Sequence, residues 1–111
     1  MKVRELVEKL NLTVFSGHSG LDADIKGGYT SDLLSDEMGN SDEGMVWITL
    51  QTHKNIMAIA SLKELSAVII VKGLAPEEAT LAQSNEEGIP LLGTNEQAFE
   101  TSGVLYGLLK V

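Results

Sequence analysis

The sequence contains no cysteine. That absence removes disulfides, thiolate metal sites, iron–sulfur ligation and cysteine nucleophiles together, and it fits a cytoplasmic protein. Basic residues are scarce: 8 Lys and Arg against 16 Asp and Glu leave a formal net charge of −8. Such a chain repels nucleic-acid phosphates and anionic membrane surfaces, so neither is an expected partner, and the plain use of the charge is solubility. Long hydrophobic runs are missing as well. The longest, Ala67 to Val71, falls far short of the ~20 apolar residues of a membrane-spanning helix. The start, Met1-Lys2-Val3-Arg4-Glu5, leads directly into an amphipathic pattern and not into the apolar stretch of a signal peptide.

Catalytic and metal motifs are equally sparse. The 2 histidines, His18 and His53, lie far apart and show no His-x-x-x-His or Glu-x-x-His spacing. There is no Gly-x-Ser-x-Gly elbow. Gly17-His18-Ser19-Gly20 is too short for a phosphate-cradling loop and lacks its lysine. Asp22 with Asp24, and Asp42 with Glu43, lack the rhythm of a calcium loop. A Ser-His-Asp set drawn from Ser16 or Ser19, His18 and Asp22 would be neighbours in one loop, whereas a triad is assembled by the fold. The composition therefore points away from an enzyme and implies no cofactor or metal.

What remains is a chain of 111 residues, 43% apolar and 22% charged, the size and make-up of one globular domain over residues 1–111. Val3, Leu6, Val7 and Leu10 recur at helical spacing, with Asn11 as a stop. Leu12 to Ser16 reads as a strand. The pair Gly27-Gly28 predicts a loop with positive φ or a close approach by another group. Thr30 or Ser31 predicts a cap for a helix from Asp32 to Met38, ended by Gly39 and Asn40. Met45 to Leu50 reads as a strand, and Thr52 as the cap of a helix to about Leu62. Ala67-Val68-Ile69-Ile70-Val71 is apolar at every position, the pattern of a strand covered on both faces. Pro76, Glu77 and Glu78 open a helix that Gly88 ends. A short strand at Ile89–Gly93 follows, then a helix from Glu96 to about Leu109 capped by Thr94 or Asn95. Strand and helix alternate in units of about 22 residues, which predicts an α/β fold: a small, mostly parallel sheet of three or four strands with helices on its faces.

The segment Asp24-Ile25-Lys26-Gly27-Gly28-Tyr29-Thr30-Ser31-Asp32-Leu33-Leu34-Ser35-Asp36 resembles the signature of the DRTGG domain. Thr49 to Asn55, Ala67 to Gly73 and Gly88 to Thr94 extend the resemblance over almost the whole chain. Asp24, Gly27 and Gly28 match the name-giving motif; Ile25 and Lys26 stand where the family has Arg and Thr, so no role of that Arg carries over. The resemblance implies an α/β fold similar to the N-terminal domain of HPr kinase/phosphorylases. It also implies a regulatory or assembly role. Such domains occur beside CBS domains in some pyrophosphatases, and stand-alone versions accompany iron-only hydrogenase genes. It implies no chemistry of the domain's own.

Two surfaces follow as expectations. Gln51, Thr52, His53 and Asn55 form the densest cluster of neutral hydrogen-bonding side chains, after a parallel strand and at a helix start, where an anion would be held. With Gly27 and Gly28 they make the candidate site for a small anionic ligand such as a nucleotide. The same residues also suit structural work: Thr52 as a cap, Gln51 on loop backbone, His53 in solvent. The second surface is the C-terminal stripe Leu105, Leu108, Leu109 and Val111, with Met38, Met45, Trp47 and Met57 as core or interface. It predicts self-association, a dimer by default, or a protein partner, with ordinary packing as the alternative. The expected function is a non-catalytic regulatory or assembly module, with a metabolite sensor as the alternative.

Overall fold

A computed structural model describes residues 1–110. The elements are α1 (Val3–Leu10), β1 (Thr13–Ser16), a 3-10 turn (His18–Gly20), β2 (Gly27–Thr30), α2 (Leu34–Asn40), β3 (Met45–Thr49), α3 (Asn55–Leu62), β4 (Ala67–Ile70), α4 (Glu78–Glu87), β5 (Leu91–Gly93) and α5 (Ala98–Leu109). The strands form a 5-stranded sheet in the order β1-β5-β4-β3-β2. β2, β3, β4 and β5 are parallel to their neighbours, and β1 closes one side antiparallel to β5. The α/β architecture expected from the alternation is the one observed. The sheet has more strands than the three or four expected, because β1 and β2 both join it.

Period-2 alternation splits the core in two. Val46, Ile48, Ala67, Ile69 and Leu92 point to the face that α1 and α5 cover through Val3, Leu6 and Leu105. Trp47, Val68, Ile70 and Leu91 point to the other, where Ile56, Met57, Ile59 and Ala60 of α3 pack, with Leu34 and Leu81 from α2 and α4. β4 is buried at every position, as its unbroken apolar run requires of a central strand. Each fully buried Val, Leu or Ile here contributes about 1.5–3 kcal/mol of burial.

Several local expectations shift. Gly27 and Gly28 lie in an edge strand, and neither has positive φ. At Gly28 the reason is close approach: a Cβ there would lie 2.8 Å from Leu105 Cδ2. The helix expected from Asp32 begins at Leu34 and runs through Gly39 and Asn40, because Asp32 bonds elsewhere: its carboxylate accepts the Leu50 N–H at 2.7 Å and the Thr49 hydroxyl at 3.0 Å. α3 starts at Asn55 and Thr52 does not cap it; its main-chain carbonyl instead accepts from Glu77 N–H and the Thr80 hydroxyl. Pro76 precedes the cap residue Glu77, and Gln97, not Thr94 or Asn95, precedes α5. Asn11 and Gly88 end their helices in the left-handed region as expected.

Candidate functional site

The turn after β3 lies at the carboxyl ends of the parallel strands. Gln51 is half-buried and donates from Nε2 to the Asp32 carbonyl at 2.8 Å. His53 is exposed, and its Nδ1 accepts the Asn55 N–H at 3.1 Å. The Trp47 indole donates to the Ser31 carbonyl at 2.8 Å. The Gln51 and Trp47 bonds clip the β2–α2 connection onto the end of β3; the His53 bond occupies the Asn55 N–H at the start of α3, and the Asp32 carboxylate, held on the Leu50 N–H, lies beside the turn. The structural uses expected of Gln51 and His53 are thus present, with His53 doing work assigned to Thr52.

Gly27 and Gly28 are not part of that turn. Gly27 pairs with Met45 in the parallel register, and the span from Met45 to Gln51 is up to roughly 20 Å at about 3.3 Å per residue. Six candidate residues therefore divide into two groups at opposite ends of the sheet. His18 and His53 divide likewise: His18 follows β1, whose end meets Leu91 at the start of β5, whereas His53 follows the end of β3. Among the described residues no group of three or more His, Cys, Asp or Glu is placed to hold a metal, and no helix is long and apolar enough to cross a membrane.

Gly27 and Gly28 instead line a groove of about 630 Å³ between the β2 edge and α5, with Met45, Ile48, Leu105 and Leu109 as its apolar base. The Thr30 and Ser102 hydroxyls share a hydrogen bond at 2.7 Å on its wall. Phe99 is 86% exposed and Tyr106 68% exposed on the same helix; Lys110 Nζ lies 5.8 Å from the Tyr106 ring centroid. Of the C-terminal stripe, Leu105 is buried, Leu108 and Leu109 are half-buried, and Val111 lies outside the described residues. The exposed aromatics carry the apolar surface. Trp47 and Met57 are core, Met45 is half-buried and Met38 is partly exposed.

One buried group was not among the residues singled out in the sequence. Glu37 of α2 has no solvent exposure, and neither of its carboxylate oxygens accepts a hydrogen bond from the described residues. Burial pushes its pKa up to about 7; the nearby Ser41 hydroxyl, which donates to the Glu37 carbonyl at 2.7 Å, opposes this, Asp36 adds to it and Lys63 pulls it back. Its spacing from Leu34 and Ser41 puts it on the inward helix face, the one clue that was available. Asp36 beside it is held below the usual carboxylate range by the Ser31 and Tyr29 hydroxyls and Asn40.

No family model matches the chain, and no curated protein matches it. A solved structure does: the CBS and DRTGG domains of the regulatory region of Clostridium perfringens pyrophosphatase, complexed with the activator diadenosine tetraphosphate. The TM-score is 0.69 at 13% sequence identity, over 94% of this chain and 45% of that chain. The present chain thus spans less than half of that regulatory region and has a DRTGG-like fold.

Proposed function

We propose that residues 1–111 act as one DRTGG-like regulatory module, without catalysis of its own, through association with a second copy or a protein partner in the cytoplasm. The carrying observation is the apolar surface around α5: Phe99 and Tyr106, 86% and 68% exposed, flank a groove beside an unpaired strand edge. Exposed aromatics of this size on a chain with so few aromatics mark an interaction surface. The regulatory setting of the structural neighbour agrees with this reading. A second reading is a sensor for a small anionic ligand, with Thr52, His53 and Asn55 as contacts and Gln51 holding the turn on Asp32. Gly27 and Gly28 take no part in that site. The activator bound to the neighbouring structure favours this reading; the Asp32 carboxylate opposes it.

Light scattering across a concentration series, with and without diadenosine tetraphosphate and ATP, tests both. A dimer indifferent to nucleotide is the expected result. A chain that stays monomeric at every concentration overturns the association reading, and a mass or melting temperature moved by nucleotide, with the response lost in His53→Ala, establishes the sensor.

A further inference from the structure

We infer that the partner is a second copy of this chain, joined edge to edge through β2 about a two-fold axis; this rests on the association reading above. β2 runs against β3 with no register shift. The Ser31 N–H donates to the Ile48 carbonyl at 3.2 Å, which fixes the alternation: Gly27, Tyr29 and Ser31 turn their main-chain groups to β3, and Gly28 and Thr30 turn theirs outward. Gly27-Gly28-Tyr29-Thr30 carries no charge, no proline and no bulge, the devices that normally blunt an edge. Lys26, just before it, is drawn to Glu43 at 3.2 Å.

An antiparallel pairing centred on Tyr29 sets Gly28 of each copy opposite Thr30 of the other, and each pair exchanges both main-chain hydrogen bonds. The axis stands perpendicular to the sheet, so it carries both α5 helices to the same face, side by side and antiparallel. α5 is already seated on β2 through Leu105 on Gly28 and Ser102 on Thr30. Phe99, Gly103, Tyr106 and Lys110 follow one stripe of this helix at i, i+4, i+7 and i+11. Antiparallel helices crossing near Gly103 bring Phe99 of one copy to Tyr106 of the other. Nothing lies within 4 Å of a Cβ at Gly103, so the crossing has room for close approach. The same crossing sets Glu96, exposed just ahead of the helix, level with Lys110 at the end of the other. A foreign strand satisfies Gly28 and Thr30 but supplies neither the second aromatic pair nor this charge match; a second copy supplies all three.

The absence of cysteine makes the test clean. Residues facing across the axis in such a pair have Cα atoms about 4.5 Å apart, within disulfide reach. Under mild oxidation Tyr29→Cys is expected to give a covalent dimer, and Thr13→Cys on the other edge is not. In analytical ultracentrifugation Thr30→Pro, which removes an outward N–H and keeps the β3 ladder, and Phe99→Asp are each expected to weaken association about tenfold or more. Circular dichroism identifies any variant that fails to fold; Phe99→Asp alters only an exposed side chain, and the cysteine pair is read independently. A wild-type monomer overturns the association reading and this inference together. A wild-type dimer whose mass is unmoved by Phe99→Asp, with Tyr29→Cys no better linked than Thr13→Cys, overturns the β2 geometry alone.

Discussion

At one edge of the sheet β1 runs antiparallel to β5 and slips register between Val14 and Ser16; at the other β2 runs parallel to β3 without a slip. Around β1 the tight contacts fall on main-chain atoms. Gly17, at φ 73, has no room for a Cβ against the Ile89 carbonyl, and the Asn85 side-chain oxygen accepts its N–H at 2.8 Å. The Ser84 hydroxyl donates to the Ile89 carbonyl at 2.7 Å. Around β2 the contacts are made by side-chain ends: Leu105 over Gly28, Ser102 against Thr30, Asp36 accepting from the Tyr29 hydroxyl at 3.0 Å. The same side carries the exposed aromatics and the buried, unpaired Glu37. A bulged strand protects its edge by its own geometry. A regular, glycine-rich strand leaves its edge available.

The contrast breaks most sharply with alanine at the glycines. Gly17→Ala forces a left-handed φ and a backbone overlap at once, and a loss on the order of 3 kcal/mol is expected in urea denaturation. Gly28→Ala meets only the mobile end of Leu105 and is expected to cost about 1 kcal/mol. Equal losses at the two sites would mean that the β2 edge is as rigid as the β1 edge.

Glu37 gives the next largest effect. Its folded pKa, about 7, lies above the ordinary 4.5. The charge of this group therefore does not oppose folding below about pH 4.5. Stability is lost as the pH rises from there through about 7, to a total on the order of 2 to 3 kcal/mol. Glu37→Met keeps the volume and removes the charge. The advantage of the variant over wild type should grow by that amount between about pH 4 and pH 8 in paired thermal melts; parallel pH profiles would show that the carboxylate is not confined as described. Asp32→Ala, which frees the Leu50 N–H, is expected to cost about 1 kcal/mol and to loosen the turn at Gln51. Hydrogen exchange confined to residues 49–55 would show it, and a change spread through α5 would contradict the separation of the two ends of the sheet.

The fold was legible because its strongest signals are local. β4 is apolar at each residue since it is central, and Val3, Leu6, Val7 and Leu10 mark α1 by spacing alone. The candidate site was legible in residue type and not in place. Gln51, Thr52, His53 and Asn55 do form one polar turn, yet Gly27 and Gly28, close in the motif, pair beside Met45 at the far end. Helix starts shifted where side chains found other partners: Asp32 left the predicted first turn for Leu50, 18 residues on, and His53 took the Asn55 N–H.

By itself the sequence determined the α/β alternation, the central apolar strand, the acidic and cysteine-free character and the polar turn, because these rest on propensity and period over a few residues. Only the tertiary structure decided that β1 and β2 are the edges, that one edge is bulged and the other open, that Phe99 and Tyr106 face outward and that Glu37 is enclosed. Each of those depends on which elements lie next to one another, and so on contacts between residues far apart in the chain.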